Sequence, residues 1–197
     1  GIVYGGVSSL DFGSAARVYW TFKTIGPENV SILNGGFKGW TNGGNKVATG
    51  KISITQASFK TKLNKKYFAS FSEVQKAQKG KGQQCLIDAR PAAFFTGDKK
   101  HAKARIPGRL ANARNLQEGN LIDDSFKMKP SSAIKSQFGG LDGVEQYKGY
   151  ITYCNTGHWA ATVWFGLSEI AQIPDVKMYD GGMTHWTSNP KRKVDLG

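Results

Sequence analysis

Short apolar runs separated by glycine-bearing turns set the pattern of this chain. Ile2-Val3-Tyr4, Cys85-Leu86-Ile87-Asp88 and Tyr150-Ile151-Thr152 are brief and rich in β-branched or aromatic residues, which predicts strands, the second of them buried. The run from Ala160 to Ile173 is long and apolar enough for a helix. Ser70 with Glu73 three residues on is a capping box, so a helix is expected from Phe71 to Gln78, ended by Gly80 and Gly82. Arg90-Pro91 through Gly97 suggests a short helix, Lys99 to Pro107 a basic loop, and Leu116 to Gly140 loops with short helices. Residues 42–66, rich in Gly, Lys, Thr and Ser, read as a linker carrying one or two short strands. Strands alternating with helices predict an α/β fold: a parallel sheet covered by helices on both faces. In such sheets ligands bind beyond the carboxyl ends of the strands, which puts Asp88 and Cys154 on one rim.

The pattern also repeats. Val30 to Trp40 and Val176 to Trp186 share V-x-x-x-[ND]-G-G-x-x-x-W, a strand, a glycine turn and a helix anchored by tryptophan. Upstream, Ala15-Ala16-Arg17-Val18-Tyr19-Trp20 echoes Ala160-Ala161-Thr162-Val163-Trp164-Phe165, and Ile2-Val3-Tyr4 echoes Ile151-Thr152-Tyr153. Three matches in one order indicate two copies of a strand-helix-strand-helix unit. The first copy has Gly5 where the second has Cys154, and it contains no cysteine. The second copy is preceded by about eighty residues of its own, the first by almost none, so the first unit is expected to be incomplete at its amino end. Its apolar faces should then be covered by something, such as the missing amino-terminal part.

Composition narrows the class without deciding it. With 27 Lys and Arg against 14 Asp and Glu the net charge is +13, which attracts anions of many kinds. No zinc-finger or RNP pattern accompanies that charge, so no nucleic-acid partner is expected. No apolar run is long enough for a membrane helix. The two cysteines, Cys85 and Cys154, lie on separate strands far apart in sequence and make no disulfide framework; no spacing suggests a metal, and no cofactor is implied.

Cys154 carries the chemistry. It ends an apolar strand and opens the loop Cys154-Asn155-Thr156-Gly157-His158-Trp159-Ala160, which leads into a helix. Loop amides and a helix amino terminus aimed at the sulfur would favour its negative charge and lower the thiol pKa. His158 is either a titratable cation near the sulfur or a packing residue at the helix start, Trp159 reads as wall, and Asp180 as a turn residue.

These residues resemble the rhodanese family, specifically the tandem-domain thiosulfate and 3-mercaptopyruvate sulfurtransferases. The resemblance rests on Leu86-Ile87-Asp88-Ala89-Arg90, Arg105-Ile106-Pro107-Gly108 with Asn112, Cys154 through Ala160, and Tyr179-Asp180-Gly181-Gly182, besides the echoes in the first copy. It implies a sheet of about five parallel strands. It makes residues 1–45 the carboxyl-terminal part of an inactive rhodanese-like domain, 46–66 a linker and 67–197 the catalytic domain. Cys154 would accept a sulfane sulfur as a persulfide and pass it to a thiophilic acceptor. The amides of Asn155, Thr156, Gly157, His158, Trp159 and Ala160 would cradle the sulfur, with Asp88, Arg90 and Arg105 in support. The expected partners are a small anionic sulfur donor and a thiophilic acceptor. The resemblance also leans toward a periplasmic protein, with cytoplasmic as the alternative.

Departures from the family pattern bear on the donor. The two positions after the cysteine, cationic in part in thiosulfate-specific relatives, are the neutral Asn155 and Thr156. Phe94 stands where a second arginine is expected, and Arg105 replaces the histidine of a His-Ile-x-Gly motif. A module that holds persulfide without turnover is therefore an open alternative. A Cys-dependent phosphatase is a distant one: it needs an arginine six residues after the cysteine, and Ala160 stands there.

Overall fold

The structure is a computed structural model that describes every residue except Val7, Glu28, Ile54 and Ala57, and only the backbone of Ser9 and Leu10. Its centre is a parallel sheet in the order β4-β3-β5-β6. The strands are β3 (Gln84–Asp88), β4 (Arg114–Asn115), β5 (Gly149–Tyr153) and β6 (Val176–Met178). Asp88 pairs with Tyr153, so the two central strands end level. A single parallel bridge from Phe68 to Met178 extends the sheet beyond β6, making four paired strands and one bridge of the five strands expected.

The period-two alternation of a strand decides which core each side chain enters. Cys85 and Ile87 of β3 join a cluster with Trp164, Leu121 and Ile134, whereas Leu86 joins Ile151, Tyr153, Met183 and Trp186 on the opposite face. Both faces are thus apolar and covered. The first is covered by α1 (Ser9–Ile25), α5 (Ser131–Gly139) and α6 (His158–Phe165), the second by α3 (Phe71–Gln78) and α7 (Gly182–Ser188). The capping box closes α3 as the sequence requires: Ser70 N donates to the Glu73 carboxylate at 2.8 Å and Glu73 N to Ser70 Oγ at 3.3 Å.

Ahead of this sheet, β1 (Ile2–Val3) and β2 (Ser31–Ile32) pair in parallel, separated by α1 and followed by α2 (Gly36–Asn42). The same order, strand-helix-strand-helix, recurs in β5-α6-β6-α7. α1 lies directly on α6. A Cβ added at Gly13 would stand 3.0 Å from the His158 carbonyl oxygen, so glycine here permits the close approach. Tyr19 and Phe165 meet edge to face at 5.1 Å, and Tyr19 donates to Glu169 at 2.7 Å. The β1–β2 pair leaves Ile2 and Tyr4 exposed, beside Phe37, Trp40 and Ile52, an open apolar face of the kind the sequence expects to be covered.

Two expectations need adjustment. The described residues of the linker form no strand; instead Lys62 N and Asn64 N bond the Ile25 and Thr24 carbonyls, spending the linker's donors on the end of α1. The long apolar helix is α-helical only to Phe165, then widens into a π-helical stretch, Gly166–Ile170. That widening begins where Gly166 packs on Leu121, with room for no more than a tight Cβ at 3.1 Å. Residues 92–96 form the short helix α4 (Ala92–Thr96), and Glu118–Leu121 a 3₁₀ turn after β4.

Glu118 on that turn is buried, and its Oε1 has no hydrogen-bond partner among the described residues. Burial pushes its carboxyl up to about 7. A carboxyl raised in the folded state is protonated in both states at low pH, and stability falls as pH rises through the unfolded value toward 7. Glu118→Gln should therefore match the wild type below about pH 4.5 and exceed its stability by roughly 2–3 kcal/mol at pH 8. Urea unfolding at both pH values checks this, and a constant difference would show that Glu118 does not titrate with folding.

Candidate active site

β5 ends at Tyr153, and the chain then turns through Cys154, Asn155, Thr156 and Gly157 before α6 begins at His158. Gly157 is the position that allows the turn: its φ is +97°, and a Cβ there would collide with Arg17 Nη1. Cys154 is buried at the base of this loop. Its sulfur accepts from the Gly157 amide at 3.0 Å, and the amides of Thr156 and Ala160 also face it.

Two of these amides, those of Thr156 and Gly157, share their peptides with loop carbonyls that are held outward. The Cys154 carbonyl accepts from Met183 N at 2.8 Å, and that of Asn155 from Thr184 N and Oγ1 at 3.3 and 3.1 Å. Both donors lie in the first turn of α7. Gly182 lets α7 come this close, since a Cβ there would stand 2.5 and 2.6 Å from the two carbonyl oxygens. The Thr156 carbonyl is held from elsewhere, by Arg17 Nη1 at 2.8 Å.

From the neighbouring strand end, Asp88 and Arg90 form a buried ion pair. Arg90 Nη2 lies 2.7 Å from Asp88 Oδ2 and Nε 2.9 Å from Oδ1, a two-pronged contact. The same guanidinium donates to the Gly108 carbonyl at 2.9 Å and to Asn155 Oδ1 at 3.3 Å, so it braces the loop from below. Asn155 Nδ2 is buried without a partner among the described residues. Asn115 Nδ2 ties the Asp88 and Arg90 carbonyls together at 2.9 and 2.8 Å.

Electrostatics departs from the simple helix-terminus expectation. Burial pushes the Cys154 thiol up from its ordinary value; the amides of Ala160, Thr156 and Gly157 pull against that rise, and Asp88 adds to it. Desolvation therefore outweighs the amide cradle and disfavours the thiolate in the resting site. Partial burial and the Arg17 charge hold the His158 imidazole below its ordinary value, against Asp180. Both effects weigh against a cationic imidazole beside the loop. Cys85 is buried in the core with its thiol pushed up by burial to about 11.

Arg105 stands apart from the residues grouped here. Its guanidinium donates to the carbonyls of Thr187 and Pro190 at 3.0 and 3.5 Å, tying down the end of α7. The Arg105-Ile106-Pro107-Gly108 motif reaches the site instead through the Gly108 carbonyl on Arg90. Asn112, at φ +62°, bonds the Gln78 carbonyl at 2.9 Å and supports α3. Trp159 packs edge to face on Phe94, centroids 5.8 Å apart, which makes an aromatic wall beside the loop. Sequence reading passed over Asn115 and Arg17. For Arg17 there was one signal: a cation on an apolar helix, where the second copy has Thr162.

Residues 70–189 match the family model described as Rhodanese-like domain. The chain is 30% identical over 183 residues to the 3-mercaptopyruvate sulfurtransferase of Escherichia coli K12, covering 92% of this chain and 64% of that protein. It is 30% identical over 198 residues to the thiosulfate sulfurtransferase of Gallus gallus, covering 98% and 66%. The chain thus spans about two thirds of the length of these curated relatives. In fold it resembles the anaerobic ergothioneine biosynthesis enzyme of Chlorobium limicola, with a TM-score of 0.86 at 18% identity over 100% of this chain and 51% of that one.

The balance of burial and amides has a direct readout. Alkylation of Cys154 by iodoacetamide should keep accelerating as pH rises past the ordinary thiol range, since the thiolate is the reactive form. Peptide mass spectrometry across pH 6–10 (a range of roughly two units either side of an ordinary thiol) measures it. A rate already level at pH 7 would mean that the amides win over burial.

Proposed function

The chain belongs to the rhodanese-like domain family, and on that premise we propose that it is a sulfurtransferase in which Cys154 carries the transferred sulfur as a persulfide. The observation that carries the reading is the Cys154 sulfur under the Gly157 amide at 3.0 Å, at the carboxyl end of a central strand.

Transfer takes two displacements. In the first, the Cys154 thiol loses its proton to solvent or to the leaving group. Its sulfur attacks the outer sulfur of the donor, a new S–S bond forms, and the donor's bond to that sulfur breaks with the electron pair leaving on the donor. In the second, a thiophilic acceptor such as cyanide or a small thiol attacks the outer sulfur and frees Cys154 as the thiolate. The loop amides would stabilise the negative sulfur in both steps without a bulky cation, as an oxyanion hole does. Asp88 and Arg90 would act indirectly, by fixing Asn155 and the end of β3.

The same site argues about the donor. Asn155 and Thr156 are neutral, and Phe94 meets Trp159 edge to face where a second anion clamp would stand. That wall favours a donor with an organic body, a mercaptopyruvate-like carboxylate, over thiosulfate. It also sustains a second reading, in which the chain loads sulfur once and delivers it to a partner without free turnover.

Three measurements on the whole chain test this. Incubation with 3-mercaptopyruvate should add about 32 Da to the intact mass, and cyanide should remove it with release of thiocyanate. Cys154→Ser should abolish both loading and turnover, whereas Cys85→Ser should keep them at a modest cost in stability. A single stoichiometric burst of thiocyanate with no steady state would assign the carrier role instead. Full activity in Cys154→Ser would end the proposal.

A further inference from the structure

The Thr156 carbonyl and the Gly157 amide are opposite ends of one planar peptide group. One end donates to Cys154 Sγ at 3.0 Å, and the other accepts from Arg17 Nη1 at 2.8 Å. We propose that Arg17, on α1, is a positioning residue for Cys154 that acts through this single peptide: it holds the Thr156 carbonyl outward and so keeps the Gly157 amide on the sulfur. The inference rests on Cys154 being the nucleophile of the proposed transfer.

The loop's own architecture supplies the reason. Its first two carbonyls are held by Met183 and Thr184 of α7, which orients the amides that follow them. The third carbonyl is bonded by Arg17. It also precedes Gly157, whose φ of +97° leaves the peptide free of the Cβ clashes that would resist rotation. A flip of this one peptide would exchange an inward N–H for an inward C=O. The dipole on the sulfur would then change sign, from stabilising negative charge to opposing it.

Arg17 is itself held for the task. It makes an ion pair with Asp180 just beyond β6, and its guanidinium carbon lies 5.9 Å from the Trp20 ring centroid. α1 is seated on α6 through Gly13, so the base of the side chain is fixed as well. A guanidinium offers donors in a rigid fork, which allows it to bond a carbonyl and a carboxylate together; an ammonium lacks that geometry. A charged donor on the carbonyl also polarises the peptide and strengthens its N–H as a donor. The segment without a cysteine would thus complete the cradle of the segment that has one.

Alkylation of Cys154 by iodoacetamide across pH, in the full chain, tests the clamp. Arg17→Met should slow the reaction at neutral pH about tenfold and move its inflection up by about one unit. Arg17→Lys should recover part of the loss, and high salt should leave the gap between wild type and Arg17→Met unchanged. An unchanged rate and inflection in Arg17→Met would overturn the inference. So would a gap that closes with salt, because Arg17 would then act by charge through space. If Arg17→Met does not fold, Arg17→Gln, which keeps a neutral donor, should still be slower than wild type, and equality would overturn the inference. Alkylation needs no sulfur donor, so a failure of the clamp and a failure of sulfur transfer are read separately.

Discussion

A sulfur at the buried end of a strand can carry negative charge only if the dipoles around it turn their positive ends inward, and here that condition falls on consecutive peptides of one short loop. The inward Thr156 and Gly157 amides have outward carbonyls behind them, and each carbonyl needs a donor of its own. α7 provides donors for Cys154 and Asn155, and Arg17 provides one for Thr156. The rest of the molecule can be understood as the means of bringing those donors into place. Trp186 and Met183 bury α7 against one face of the sheet, and Gly182 lets its first turn reach the loop. Phe12, Tyr19 and Trp20 bury α1 against the other face, and Gly13 lets it reach α6.

Beneath the loop, the Asp88–Arg90 pair fixes the ends of both central strands. A buried ion pair is weak evidence for stability, because desolvation of the two charges offsets much of their attraction. Its geometry suits positioning better. Arg90 reaches Asp88, Gly108 and Asn155 at once, linking β3, the loop before β4 and the loop after β5. Asn115 closes the circle from β4. Three strand ends that meet only in the folded chain are thereby held in one arrangement.

The competition between burial and amides gives the site its chemical character. Water is excluded from the sulfur, which favours the neutral thiol at rest, while the amides wait where charge would develop. In the proposed transfer such a site would stabilise the anion formed during reaction more than one held beforehand, in keeping with the differential character of catalysis. With neutral residues after the cysteine and an aromatic wall beside it, the loop relies on oriented backbone rather than on side-chain cations. That places unusual weight on the peptide that Arg17 holds.

What the sequence determined by itself is local. The Ser70–Glu73 capping box, the apolar runs of β3 and β5, the cysteine at a strand's end and the glycine turns follow from spacing within a few residues, and each is found where that spacing puts it. Even the repeat is a statement about spacing, at longer range. Tertiary structure decided which side chains meet across the chain. It joined Arg17 to a peptide 139 residues away, carried Arg105 to the end of α7 rather than to the sulfur, and tied Lys62 and Asn64 of the linker to the end of α1. It also set the balance between desolvation and amides at Cys154. A helix terminus and loop amides can be read from sequence, but the loss of water around a sulfur is a property of everything packed over it. Hydrogen-bond donors at close range in sequence are legible; desolvation and contacts between distant segments exist only once the chain has closed on itself.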